Sequence, residues 1–144
     1  MVYTEMTIKA MKFAYQAHEG QLDKSGVPYI FHPIHLAEQM TDEVCCTVAL
    51  LHDVVEDTSV TLEEIEREFP KEVAQAVSLL THDKSVDYFD YVRKIKENPI
   101  AKTVKLADLV HNSDEVRSRA EHCSEEQIEK WRKKYSKAKQ ILVE

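Results

Sequence analysis

The sequence predicts an all-α protein, folded as a compact, single-domain helical bundle over residues 1–144. Apolar residues recur at three- and four-residue spacing along most of the chain, which is typical of amphipathic helices. No segment alternates apolar and polar residues for long, and no pair of apolar runs is joined by a hairpin turn signal. The chain has only two glycines and four prolines and no Ser-, Gly- or Pro-rich linker. Its length is sufficient to bury a substantial core.

Helix boundary signals are clear near the beginning of the chain. Thr4 is a suitable cap for a helix that runs to about His18, and Gly20 follows it as a stop signal. Residues 23–28 contain Asp, Ser, Gly and Pro, so they read as a loop. Pro33 then suits the first position of a second helix, since its fixed φ angle and missing amide proton are tolerated there.

The third predicted helix contains the residues that indicate a functional centre. An apolar run from Val44 to Leu51, broken only by Thr47, indicates a helix that is buried nearly all round and continues to Asp57. Four polar residues occur within its last six positions: His52, Asp53, Glu56 and Asp57. The three carboxylates have i, i+3 and i+4 spacing, so they share one face and would repel one another without a nearby positive charge. We therefore predict a bound metal ion at this helix end; the alternative is a solvated helix end with scattered charges.

The second half of the chain contains further helix signals. Residues 61–64 and 124–127 both have the pattern of a capping box. The first opens a short helix that stops before Pro70, and the second opens a final helix from about 125 to 142. Between them we predict three more helices: one with Val73, Ala76, Val77 and Leu80 facing inward, one over Asp87–Glu97, and one that begins at Asn98-Pro99 and contains 103–112.

Two further polar residues occur in apolar surroundings. His32 lies just ahead of a helix among apolar neighbours, where a histidine is more often a satisfied core or cap residue. Asp108 lies on a core helix, where a salt bridge to Lys105 is an alternative explanation. With His52 and Asp53 they make a set of two imidazoles and two carboxylates, which suits Mn²⁺, Fe²⁺ or Zn²⁺ with positions open for water and substrate. The lack of cysteine in this set disfavours a structural zinc site.

The ordered set His…His-Asp…Asp resembles that of the HD-domain metal-dependent phosphohydrolases. Three longer strings, over residues 24–33, 52–58 and 105–112, resemble the hydrolase domain of the RelA/SpoT family. That domain removes the 3′-pyrophosphate from the alarmone (p)ppGpp, a nucleotide of the stringent response. The similarity covers about residues 4–119, and the chain resembles the small stand-alone hydrolases of this family.

The resemblance implies a role for each matching residue. The ligands of one Mn²⁺ ion would be His32, His52, Asp53 and Asp108. The pair that activates and orients the attacking water would be Glu56 and Asp57, with Glu56 as the more direct base. The residues that contact the nucleotide would be Lys24, Ser25, Tyr29 and Asn112.

Two positions depart from the family pattern and leave the substrate open. Asp23 stands where the family commonly has Arg, and a carboxylate can neither stack on a purine nor attract phosphate. His82 is either a replacement phosphate contact or a loop residue, and we favour the loop. The alternatives are therefore an HD phosphohydrolase acting on another nucleotide or small phosphate ester, or a catalytically silent metal- or nucleotide-binding module.

Charge and cysteine content narrow the class of protein further. The net charge of −7 makes a nucleic-acid-binding surface improbable. The basic stretch 130–139 fits the solvated face of the final helix. The three cysteines have no metal-binding spacing and suit a reducing compartment. With no signal peptide and no apolar run of membrane-spanning length, we expect a cytoplasmic protein without membrane contact whose partner is a small nucleotide, and a homodimer is possible.

Overall fold

The computed structural model describes residues 1–114 and 123–144, and every regular element in these ranges is a helix. This confirms the all-α prediction. Residues 115–119, the end of the stretch with family resemblance, lie outside the described ranges. The helices in chain order are α1 (Glu5–Ala17), α2 (Phe31–Glu38), α3 (Glu43–Leu51), α4 (Val54–Asp57), α5 (Leu62–Glu68), α6 (Lys71–Leu80), α7 (Tyr88–Lys96), α8 (Pro99–Asn112) and α9 (Glu125–Val143).

The predicted helix starts are confirmed by their caps. The side chain of Thr4 accepts a hydrogen bond from the Thr7 amide at the start of α1, and the Thr7 side chain accepts one from the Thr4 amide. Thr61 caps α5 and Ser124 caps α9 in the same way through their hydroxyl oxygens. These contacts satisfy amides that have no partner within the helix. Gly20 has a φ angle of +80°, a conformation that only glycine adopts without strain, and it ends the turn after α1.

Two boundaries differ from the prediction. Helix α2 begins at Phe31, two residues before Pro33, and the proline is tolerated because first-turn amides have no intrahelical partner. The helix predicted to continue to Asp57 ends instead at Leu51, and α4 begins at Val54. The backbone of Asp53, with φ −107° and ψ 0°, departs from helical geometry here. This break separates the His52–Asp53 doublet from the carboxylates of α4.

Helix α3 lies at the centre of the bundle, where it packs against α1, α2, α6 and α8. Residues 45–51 of this helix are all buried, as the apolar run predicted. Leu36 of α2 and Leu109 of α8 are buried against the same core. Helix α9 packs on α7 and α8 and buries Ala138 and Leu142. The His52–Asp53 turn is therefore held on a well-packed support. Within the described residues, no helix is both long and apolar enough to cross a membrane.

Candidate functional site

The side chains of the four predicted metal ligands lie close together. His32 comes from the first turn of α2, His52 and Asp53 from the turn between α3 and α4, and Asp108 from α8. One ligand atom from each of His32, His52 and Asp53 lies within 4.8 Å of the other two. The Oδ1 atom of Asp108 lies 2.9 Å from His32 Nε2 and 3.7 Å from His52 Nε2. Four residues separated widely in the chain thus form one cluster of nitrogen and oxygen donors.

The hydrogen bonding and charge environment of His52 suit a cation bound in this cluster. Its Nδ1 atom lies 2.6 Å from the carbonyl oxygen of Ala49, which can only accept, so Nδ1 carries a proton. Its Nε2 atom is buried without a hydrogen-bond partner of good geometry among the described residues. Burial disfavours a charged ring, but Asp53 and Asp108 outweigh it and raise the pKa of His52 well above its usual value. The cluster therefore attracts positive charge at Nε2, and a divalent cation supplies such charge.

Asp108 forms the salt bridge to Lys105 and also lies beside the two histidines of the cluster. Its Oδ2 atom lies 3.0 Å from Lys105 Nζ, while Oδ1 faces the histidines and accepts a hydrogen bond of 3.1 Å from Asn112 Nδ2. Burial raises the pKa of Asp108, but Lys105 and the two histidines outweigh burial and hold it well below the usual value. Asp108 is therefore ionised and oriented on all sides.

His111 fixes the orientation of His32. The Nδ1 atoms of the two rings lie 2.6 Å apart, and the rings stack with centroids separated by 4.8 Å. One Nδ1 must donate to the other, and this contact leaves Nε2 of His32 directed at Asp108. His111 also packs against the ring of His35, which is exposed. In the sequence, His111 is marked only by its place in the family-like string 105–112.

Tyr29 contacts a proposed metal ligand directly. Its hydroxyl donates a short hydrogen bond to Oδ2 of Asp53. Burial and the Asp53 charge raise the pKa of Tyr29 far above its usual value, so the hydroxyl remains a donor. The family resemblance predicts a nucleotide contact for Tyr29, and the structure adds this contact to Asp53. Such a donor orients a ligating carboxylate.

The two carboxylates of α4 face the same cavity but differ in their surroundings. Glu56 accepts a hydrogen bond of 2.6 Å from the backbone amide of His82. Asp57 has its carboxyl group in the cavity wall, where partial burial and the charges of Asp53 and Glu56 raise its pKa to about 6. The pKa of Asp57 thus suits a proton acceptor near neutral pH, while Glu56 is held in place by the loop after α6.

These groups line one cavity of about 400 Å³, a volume suited to a nucleotide-sized ligand. Its lining comprises Lys24, Tyr29, His32, His52, Asp53, Glu56, Asp57, Leu80, His82, Tyr88, Tyr91, Lys105, Asp108, Asn112, Lys134 and Tyr135. One wall is therefore acidic and contains the donor cluster. The other wall is built from tyrosines and lysines of α7, α8 and α9.

Comparison with known proteins shows the family to which this chain belongs. A family model described as "HD domain" matches residues 10–135, most of the chain. The chain belongs to the HD-domain family. It is 40% identical over 118 residues to the mouse (Mus musculus) guanosine-3′,5′-bis(diphosphate) 3′-pyrophosphohydrolase MESH1, covering 73% of this chain and 66% of that protein. Against the human (Homo sapiens) MESH1 it is 37% identical over 138 residues, covering 86% and 77% of the two chains.

Bacterial and structural relatives agree with this assignment. The enzyme of the same name from Borreliella burgdorferi is 40% identical over 121 residues, and the match spans 72% of this chain but only 18% of that longer protein. A solved structure of a metazoan orthologue of SpoT, described as hydrolysing ppGpp, superposes with a TM-score of 0.77. It is 27% identical and covers 99% of this chain and 94% of that one. The helical fold expected from the HD-domain resemblance is therefore confirmed.

Most of the predicted nucleotide contacts face the HD-domain cavity, and one does not. Lys24, Tyr29 and Asn112 line it. Ser25 lies with Asp23 on a separate depression beside His35. The Asp23 carboxylate accepts hydrogen bonds from the amides of Ser25 and Val27, at 2.8 and 3.0 Å, so it stabilises its own loop. The residue that replaces the family arginine is thus committed to local structure.

Several cavity residues could not be found from the sequence. Tyr88 and Tyr91 have the spacing of one face of α7, and Tyr91 is buried, but both also line the cavity. His82 belongs to the loop after α6, as we favoured, and its ring nevertheless packs on Tyr91 in the cavity wall. The sequence predicts that Lys134 lies on the solvated face of the final helix. No local signal marks it, because its position depends on how α9 packs against α7.

Proposed function

We propose that this HD-domain protein is a metal-dependent (p)ppGpp 3′-pyrophosphohydrolase, which releases pyrophosphate and leaves GDP or GTP. The observation that carries this proposal is the juxtaposition, in one nucleotide-sized cavity, of a His/Asp donor cluster with two further carboxylates. The names of the mouse and human relatives, both bis(diphosphate) 3′-pyrophosphohydrolases, support the choice of substrate.

The metal site consists of His32, His52, Asp53 and Asp108. Two imidazoles and two carboxylates without a thiolate favour Mn²⁺, with Fe²⁺ and Zn²⁺ as the other candidates. When bound, the cation supplies positive charge that acidifies a water molecule and polarises a phosphoryl oxygen. The protein contributes orientation through outer contacts: His111 on His32, Tyr29 on Asp53, and Lys105 on Asp108.

Asp57 and Glu56 handle the proton of the attacking water. The raised pKa of Asp57, about 6, suits a group that accepts a proton near neutral pH. Glu56 accepts a hydrogen bond from the His82 amide, which fixes the position of its carboxylate. We therefore propose Asp57 as the direct base and Glu56 as the residue that orients the water, the reverse of the order expected from the sequence.

The nucleotide lies across the cavity between the acidic and the basic wall. Lys24 and Asn112 face the ligand, and Ser25 contributes at most through the loop it shares with Asp23. The substrate is a small nucleotide rather than a nucleic acid or membrane lipid, and a cytoplasmic location and a homodimer remain part of the proposal. A second candidate function is hydrolysis of another nucleotide or small phosphate ester, which is favoured by Asp23 in place of the family arginine.

The proposal is tested with three variants and a substrate panel. Asp53→Ala should lose both metal retention and turnover of ppGpp. Asp57→Asn and Glu56→Gln should retain the metal and lose most of the rate, with the larger loss in Asp57→Asn. If both carboxylate variants also release the metal, the division into ligands and base is wrong. If the wild type hydrolyses another nucleotide in preference to ppGpp, the second candidate function holds.

A further inference from the structure

Two lysines that line the cavity, Lys24 and Lys134, lie over aromatic rings. The ammonium group of Lys134 lies 4.2 Å from the centroid of the Tyr88 ring, and that of Lys24 lies 4.2 Å from the centroid of the Trp131 ring. Both lysines line the cavity. An ammonium group held over a ring face keeps its hydrogen-bond donors free on the side away from the ring. Two exposed cations with available hydrogen-bond donors therefore line the cavity.

These two charges are not neutralised within the described part of the chain. The third lysine of the cavity, Lys105, is paired with Asp108 at 3.0 Å. No carboxylate of residues 1–114 or 123–144 forms a salt bridge with Lys24 or Lys134. Partial burial, together with the charges of Lys105 and Lys24, lowers the pKa of Lys134. The cluster therefore carries uncompensated positive charge in a protein whose net charge is −7.

We propose that Lys134 and Lys24 form a second anion-binding subsite, which holds the diphosphate group of the nucleotide that is not cleaved. This inference rests on the proposed function and deepens it. A bis(diphosphate) nucleotide carries two separate anionic groups, and the cavity has two separate centres of positive charge. One is the cation that the His/Asp cluster of the acidic wall would hold. The other is the lysine pair, contributed in part by α9.

The subsite makes the C-terminal helix a determinant of substrate choice. A phosphate group between Lys24 and Lys134 would relieve their mutual repulsion and accept charge-assisted hydrogen bonds from both. A nucleotide with a single phosphorylated position would occupy only the metal cluster. The lysine pair therefore favours nucleotides phosphorylated on both the 3′ and the 5′ side.

The test compares Lys134→Gln with Lys137→Gln in the metal-loaded protein. Lys137 lies one turn further along α9, over the ring of Phe89 at 4.2 Å, and does not line the cavity. Steady-state rates are measured with ppGpp and with guanosine 3′-diphosphate, which lacks the 5′ phosphates. Lys134→Gln should raise KM for ppGpp roughly 5- to 20-fold with kcat nearly unchanged, and leave KM for the analogue within about twofold. Lys134→Arg should restore KM, and Lys137→Gln should behave as the wild type.

Three results would overturn the subsite. They are an unchanged KM for ppGpp in Lys134→Gln, an equal rise in KM for both substrates, and an equal effect of Lys137→Gln. If the wild type does not release pyrophosphate from ppGpp, the proposed function fails separately. The subsite is then tested by calorimetric titration of ppGpp into the metal-loaded protein. Weaker ppGpp binding by Lys134→Gln, but not by Lys137→Gln, would support the subsite, and equal affinities of Lys134→Gln and the wild type would refute it.

Discussion

Replacing Tyr29 with phenylalanine separates two roles for this side chain. The substitution removes only the hydroxyl, which donates to Oδ2 of Asp53, and retains the ring that packs between His18 and His32. A hydrogen bond to a charged group contributes about 1.5–3 kcal/mol. Removal of a donor that orients a ligating group typically lowers metal affinity by roughly 10- to 100-fold. We therefore expect Mn²⁺ affinity to fall by roughly this factor in Tyr29→Phe.

The assay is calorimetric titration of Mn²⁺ into chelator-treated protein, followed by ppGpp kinetics at saturating Mn²⁺. The change in KM for ppGpp should be small, because the aromatic ring remains in the cavity wall. Tyr15→Phe provides a matched control, since Tyr15 is 61% exposed on α1 and does not line the cavity. Unchanged Mn²⁺ affinity combined with a raised KM would refute this reasoning and would return Tyr29 to the nucleotide-binding role that the sequence suggested.

Three further expectations follow from the same contacts. In the metal-free protein the raised pKa of Asp57 means that ionisation of this carboxyl group opposes folding. The free energy of unfolding of Asp57→Asn, measured by urea titration, should therefore exceed that of the wild type above about pH 6 and equal it below about pH 4. Lys105→Met should lower the free energy of unfolding by about 3 kcal/mol because it leaves Asp108 buried without its cation, and Mn²⁺ should restore part of the loss. Leu50→Ala, at a fully buried position of α3, should cost about 2–5 kcal/mol in the same titration without altering Mn²⁺ affinity per folded molecule.

The fold was predictable because its signals are local. The hydroxyl caps at Thr4, Thr61 and Ser124 and the apolar run 44–51 each depend on residues within one or two turns. The break between α3 and α4 was not predicted. It depends on how His52 bonds to the carbonyl of Ala49 and on the non-helical backbone of Asp53, which periodicity does not reveal.

The proposed metal ligands of the site were predictable from the sequence, but several residues around them were not. Charged side chains in apolar segments are costly unless compensated, so Asp53 and Asp108 stood out as candidates. Lys134 and His111 could not be found in this way. Both occur on amphipathic helices, where an exposed polar residue carries no energetic cost that would mark it in the sequence. Their positions in the site depend on helix packing. His111 of α8 stacks on His32 of α2, and Lys134 reaches the cavity only because α9 lies against α7.

The most direct test of the central claim is pyrophosphate release from ppGpp by the Mn²⁺-loaded protein, measured beside GTP, ATP and a generic phosphodiester. The wild type should release pyrophosphate from ppGpp and leave the other three unchanged, and Asp53→Ala should release none. Preferred turnover of another compound, or metal binding without any turnover, would contradict the assignment of this cavity as a (p)ppGpp 3′-pyrophosphohydrolase site.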